Sequence, residues 1–172
     1  MGENLELAFI KTSYIAEIIA ATGTEELMDK GNRPYIGMYD KSTRWFVPLR
    51  ANVTKTRKEN AVWLTPFETS NPHYRNPGLD FMKSVYVPEE EDIQKIKNTL
   101  PEKQWDYINK NQQNINNAFT NYVLWVDELP DSERDKKWST VPLFPKGIQS
   151  IRERLIAEEI ELNQSLNNDI GI

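Results

Sequence analysis

The sequence predicts an α+β fold in which short antiparallel strands come first and helices follow. Three observations predict it. Short apolar runs separated by polar turns fill the first half, to about Val87. Two of them are joined only by Lys41-Ser42-Thr43, a connection tight enough to force an antiparallel hairpin. From Pro88 onward apolar residues recur at three, four or seven, the spacing of a buried helix face.

Leu5 to Ile10 (LELAFI) alternates weakly and reads as the opening strand, followed by Thr12 and Ser13, either able to cap a helix. A helix is expected from about Tyr14 to Met28, burying Ile15, Ile18, Ile19 and Leu27, until Gly31-Asn32-Arg33-Pro34 breaks it. Tyr35–Asp40 and Arg44–Leu49 form the hairpin, and Ala51 to Asn60 is a polar, basic loop. Ala61–Phe67 is a strand that Pro66 places at an edge or bulge. Glu68 to Pro77, with two Asn-Pro steps, is a long surface loop, and Leu79–Val87 a further strand.

Pro88 and the acids Glu89 to Asp92 suit a first helical turn, so a helix is expected there until Pro101. A longer one runs from about Glu102 to Leu129, and a last one carries Ile148, Ile151, Leu155 and Leu162. The polar tail from about Gln164 is expected to fray. No internal repeat is visible. All 172 residues are expected to make one domain, a length at which roughly 70% of the unfolded chain's surface can be buried.

Composition narrows the chemistry. The absence of cysteine excludes disulfides, thiolate nucleophiles, zinc fingers and iron–sulfur clusters, and the single histidine, His73, excludes sites needing two imidazoles from one chain. No stretch approaches 18 apolar residues, and MGENLELAF lacks the pattern of a secretory signal, so a soluble intracellular protein without a membrane partner is expected.

Net charge is −5, yet between Lys30 and Lys83 ten basic residues face four acids, giving +6 there and −11 elsewhere. Such a segment is either an electrostatic footprint for phosphates or a set of exposed cations that discourage strand-edge pairing. Its densest part is Arg50-Ala51-Asn52-Val53-Thr54-Lys55-Thr56-Arg57-Lys58, which offers four cations, two hydroxyls and an amide with no acid. Arg50 can hold a phosphate bidentately and Lys55 as a point charge. His73, in the second polar loop, titrates in the range useful for acid–base catalysis, although an exposed histidine with no catalytic task fits the same position. The acids Glu89 to Asp92 are better read as a helix start than as a metal site, since consecutive helical carboxylates diverge. Trp105 and Trp125 occupy core helical positions. Trp45 and Trp63 lie in strands, where the core reading outweighs base stacking.

Three runs carry a family resemblance: Asn32-Arg33-Pro34-Tyr35-Ile36-Gly37, Trp45-Phe46-Val47-Pro48-Leu49-Arg50 and Pro77-Gly78-Leu79-Asp80-Phe81-Met82-Lys83. With Phe9-Ile10-Lys11 and Tyr14-Ile15, they resemble the toxins of type III toxin–antitoxin systems, the ToxN/AbiQ and TenpN-like endoribonucleases, over about Leu5 to Val87. The resemblance implies a twisted antiparallel sheet partly wrapped by helices. It also implies a cytoplasmic, metal-independent and cofactor-free hydrolase of abortive infection and phage defence. Its partners would be substrate RNA and a small repeat antitoxin RNA, in a ring-shaped RNA–protein assembly, with no DNA partner.

On this resemblance Tyr14 matches a first-helix tyrosine near the active groove, Arg33 a basic residue before the second strand, and Lys83 the lysine after Gly-Leu. Arg50 and Ala51 fall on a pair whose second member usually carries a hydroxyl, which alanine lacks. The catalytic set expected is Arg50, Ala51, Lys55 and His73. RNA positioning is expected of Tyr14, Arg33, Asn52, Thr54, Arg57, Lys58 and Lys83. Two other readings remain open: a non-catalytic RNA-binding protein on the same fold, and a protein–protein interaction module whose basic segment is merely solvated.

Overall fold

In the computed structural model, which describes residues 6–27, 33–38, 43–53, 60–66, 76–134 and 138–170, the elements follow the expected class. In chain order they are β1 (Leu7–Ile10), α1 (Thr12–Thr22), β2 (Tyr35–Gly37), β3 (Trp45–Arg50), β4 (Val62–Leu64), β5 (Gly78–Asp80), β6 (Val85–Tyr86), β7 (Ile93–Lys95), α2 (Glu102–Lys110), α3 (Gln112–Glu128) and α4 (Pro145–Ile170). Among the described residues the strands form one sheet in the order β4-β5-β3-β2-β1-β7, with β6 also on β3. Every ladder is antiparallel. The fold is α+β, and β4, bearing Pro66 just past its end, is an edge strand as the proline requires.

The sheet is organised around β3, whose residues are buried on both faces up to Leu49. Its Pro48 looks misplaced in a central strand, because proline has no N–H to give to a ladder. The register resolves this. Leu49 pairs with Leu79 and Phe46 with Val85, so the partner strand spends three residues more than β3 over that interval. The excess forms the 3-10 turn Phe81–Lys83, which separates β5 from β6. Leu49 N–H bonds toward β2, at Pro34 O, so strand alternation turns the Pro48 nitrogen toward the excursion, where no ladder bond is called for. The single strand expected over Leu79–Val87 is therefore two short strands and a bulge. Thr140 clamps that bulge: its N–H donates to Met82 O at 2.9 Å, and its hydroxyl lies 3.1 Å from Met82 O and 2.5 Å from Ser84 O.

Several boundaries move for local reasons. Helix α1 ends at Thr22 because Gly23 adopts φ +64° and its N–H caps Ile19 O, so Leu27 is buried outside the helix. Thr12 and Ser13 lie inside α1, whose cap position is Lys11 without a side-chain bond. The helix expected after Pro88 is only the 3-10 turn Glu90–Asp92 followed by β7, which pairs with β1. The acids fit a helix start, but Ile93 is buried by strand pairing, and Glu90 is held by Arg44 and Lys95. The long helix splits at Asn111, whose side chain donates to Tyr107 O at 2.8 Å and competes with the backbone ladder. At the other end, the tail expected to fray from about Gln164 is instead helical, α4 running on to Ile170 even though Ile156, Ile160, Leu162 and Leu166 are exposed.

The core is aromatic. Trp45 is fully buried and packs edge-on against Phe119 and Phe144 at centroid distances of 5.5 and 5.6 Å, and Phe81 meets Phe119 at 5.5 Å. The Trp45 indole N–H donates to Gly147 O at 2.8 Å and ties α4 to the sheet. Trp45 is thus core, while Trp63, Trp105 and Trp125 are half-buried against it.

Candidate functional site

The end of β3 gathers the expected site residues that the structure describes on this side of the sheet. Arg50 lies opposite Gly78 of β5, which must be glycine because a Cβ there would meet the Trp63 carbonyl oxygen at 2.4 Å. Two residues further along β5 is Asp80, a diagonal neighbour on the same face, and its carboxylate meets the Arg50 guanidinium at 2.6 Å. Asp80 is 1% exposed and Arg50 28%. Asp80 also accepts the Met82 N–H at 3.2 Å. Burial pushes the Asp80 carboxyl above its ordinary range, while Arg50, the Met82 N–H and the charge of Arg33 pull it back. Arg33 is half-buried before β2. Burial draws its guanidinium below the usual value, Arg50 adds to this, and Tyr35 and Asp80 oppose it. Among the described residues, the Arg50 and Arg33 charges thus both act on one buried carboxylate.

Past Arg50, Ala51 is half-buried, Asn52 forms a parallel bridge with Asn76, and Val53 N–H bonds Asn76 O at 2.7 Å. This bond ties together the points where two polar segments attach, since Val53 precedes the segment containing Thr54, Lys55, Arg57 and Lys58, and Asn76 follows the one containing His73. Those five residues lie outside the described ones.

Beside Arg50 opens a pocket of about 260 Å³. Its walls are mostly apolar, built from Leu49 near β3's end, Ala51 just past it, Pro34, Pro77, and the Leu100-Pro101 step that leads into α2. Gln104, in the first turn of α2, supplies an amide. That side chain is buried, and its Nε2 donates to the buried Thr65 hydroxyl at 2.8 Å.

Tyr14 and Lys83 are not part of this group. The Tyr14 hydroxyl donates to Tyr86 O at 2.5 Å, and Tyr86 pairs with Trp45 at the opposite end of β3, roughly 16 Å from Arg50 along the strand. Burial pushes the Tyr14 phenol up to about 12, helped by the Asp92 charge, so it stays protonated at neutral pH. Lys83 sits in the bulge and ion-pairs with Glu26. Burial lowers the Lys83 ammonium below its ordinary value.

Asp80 and Gln104 were not among the expected site residues. Asp80 did carry a signal, since an acid between Leu79 and Phe81 in a strand must find a cation if it is buried. Gln104 carried none, because a glutamine in a polar first turn reads as solvent-facing. Among the described residues no three His, Asp or Glu side chains converge as a metal site, and no helix is long and apolar enough to cross a membrane.

No protein-family model matches the chain, and no curated protein matches it. A similar solved structure comes from work on the mechanism of bacterial type III toxin–antitoxin systems, concerned with selective toxin inhibition by a non-coding RNA pseudoknot. The two chains are 18% identical, the match covers 91% of this chain and 99% of the other, and the TM-score is 0.55. At that identity the likeness is one of fold, and it places the α+β architecture of this chain beside that of a protein from a toxin–antitoxin system.

Proposed function

We propose that this chain is an endoribonuclease toxin of a type III toxin–antitoxin system, acting in the cytoplasm in phage defence and held in check by a small repeat RNA in a ring-shaped assembly. The observation that carries the reading is Arg50. Its guanidinium is anchored on a buried carboxylate, partly open to solvent, near Arg33, beside a pocket and close to Val53 and Asn76, where two polar segments of the sequence attach. A preorganised cation of this kind stabilises a pentacoordinate phosphate without reorganising during the reaction.

The reaction would be transesterification, with no metal or cofactor. A base takes the ribose 2′-OH proton, the oxygen attacks the adjacent phosphorus, the bond to the 5′-oxygen breaks, and an acid protonates that oxygen. Products are a 2′,3′-cyclic phosphate and a 5′-hydroxyl. Arg50 and Lys55 supply charge to the phosphate and His73 the proton transfer. Arg33, Asn52, Thr54, Arg57 and Lys58 hold the RNA backbone. Tyr14 and Lys83 would touch RNA only where it extends along the sheet.

A second reading has one observation in its favour: Ala51 presents a methyl beside Arg50, where a hydroxyl could bond the phosphate. On that reading the chain binds RNA without cutting it. The test is cleavage of total cellular RNA by purified protein in excess chelator, beside Ala51→Ser. Cyclic-phosphate ends from the unaltered chain support the enzyme. Cutting only by A51S supports a disarmed toxin. Salt-sensitive RNA binding without cutting by either protein supports the binding reading.

A further inference from the structure

We infer that the pocket at the end of β3 is a nucleobase site, in which the Gln104 amide reads the edge of one base while Arg50 holds that nucleotide's phosphate; this rests on the RNA-directed reading above.

The argument starts from the walls. Pro34, Pro77 and Pro101 have almost no side-chain freedom to lose and no N–H to satisfy, so these walls pay little entropy when a ligand enters. Its volume of about 260 Å³ lies below the ~300 Å³ at which drug-sized sites begin, which suits one ring system.

The second observation is Gln104. It is 5% exposed, and glutamine is seldom buried without a task for both ends of its amide. A carboxamide offers two donors and an acceptor, and the bond to Thr65 uses one donor while fixing the group's direction. Thr65 is fixed in turn, its N–H donating to Pro77 O at 2.9 Å. A rigid amide on an apolar wall is the arrangement that pairs with the donor and acceptor edge of a base.

The third observation is charge. Arg50 forms part of the same wall and is the exposed member of its ion pair, with Arg33 close by. A ligand that places a flat ring between prolines and an anion on a guanidinium is a nucleotide. An apolar peptide side chain would fill the apolar part and bring no anion to the solvent-facing side of Arg50, whose other side is held by Asp80.

The test is NMR titration of the full chain with the four nucleoside 3′-monophosphates, and with inorganic phosphate as a control. One nucleotide is expected to bind roughly tenfold tighter than the weakest of the four, with contacts from its base protons to the Leu100 and Ala51 methyls and a shift of the Gln104 side-chain amide. Gln104→Leu is expected to flatten that preference while phosphate affinity persists. The wild-type contacts decide the matter should the variant fail to fold. Four equal affinities no better than phosphate, a preference unchanged in Q104L, or base contacts elsewhere would overturn the inference. Base binding by a protein that cuts no RNA would remove the enzymatic reading and leave the pocket. RNA cleavage without base binding would do the reverse.

Discussion

Arg50 and Asp80 form an asymmetric ion pair: the guanidinium meets the carboxylate at 2.6 Å across β3 and β5, with the acid sealed in the sheet and the base at its rim. Asymmetry predicts unequal mutational costs. Arg50→Ala strands a buried carboxylate and is expected to cost about 3 kcal/mol in urea unfolding. Asp80→Asn removes the charge and keeps an acceptor, costing about 1–2 kcal/mol. The pH dependence follows from burial, which raises the Asp80 carboxyl and which Arg50 opposes most, ahead of the Met82 N–H and the charge of Arg33. In R50A the folded carboxyl binds its proton more tightly than the unfolded one. Stability of R50A is therefore expected to rise as pH falls from neutral toward the unfolded carboxylate's pKa, with a steeper slope than in the wild type.

Thr140 predicts a link between the bulge and Lys83. Its hydroxyl and N–H serve the Met82 and Ser84 carbonyls on either side of that lysine. Thr140→Val keeps the shape but withdraws the hydroxyl, and is expected to cost about 1–3 kcal/mol. Backbone amide exchange at residues 81–85 is expected to accelerate before exchange in β3 does, as hydrogen-exchange mass spectrometry can show.

Gly147 predicts that a better helix former will destabilise a helix. Alanine gains about 1 kcal/mol of intrinsic propensity. Its Cβ, however, would lie 2.6 Å from Cζ2 of Trp45, in the core, and 2.8 Å from Cγ of Tyr86, packed against it. Overpacking of this kind typically costs about 1–3 kcal/mol, so Gly147→Ala is expected to lower the Tm, with altered near-UV circular dichroism from Trp45.

Tyr14 predicts an alkaline limb of the stability curve. Its phenol is raised from 10.0 to about 12 in the fold, chiefly by burial. A raised pKa contributes stability that is complete below the unfolded value and is lost as pH rises through the folded one, so the loss falls between about pH 10 and 12. Because the ring is only partly buried, the loss is of order 1 kcal/mol. Tyr14→Phe is expected to flatten that limb in pH-jump unfolding, and RNA binding at neutral pH should change little if the tyrosine is structural.

Much of the fold was legible because it is local. The hairpin of β2 and β3, the edge position of β4, and the helical second half follow from alternation, turn residues and apolar period. Arg33 and Ala51 stand out only through the family resemblance, and Arg50 and Asn52 also through the basic run; the structure sets Arg33 just before β2 and the other three at and just past the end of β3.

What only the tertiary structure decided are the long-range pairings. Glu89 to Asp92 satisfy every local rule for a helix start, yet Ile93 to Lys95 take the free edge of β1, a partner far away in sequence. Leu79–Val87 reads as one strand, but docking of Thr140 stabilises a bulge that no neighbouring residue announces. Gln104 and Asp80 acquire their meaning from Thr65 and Arg50, on other elements. The sequence by itself determined the class of the fold and where its cations lie, because period and charge are properties of contiguous residues. Which acid buries, which amide faces a pocket and which edge takes a last strand depend on contacts whose free energy exists only once the chain has closed on itself.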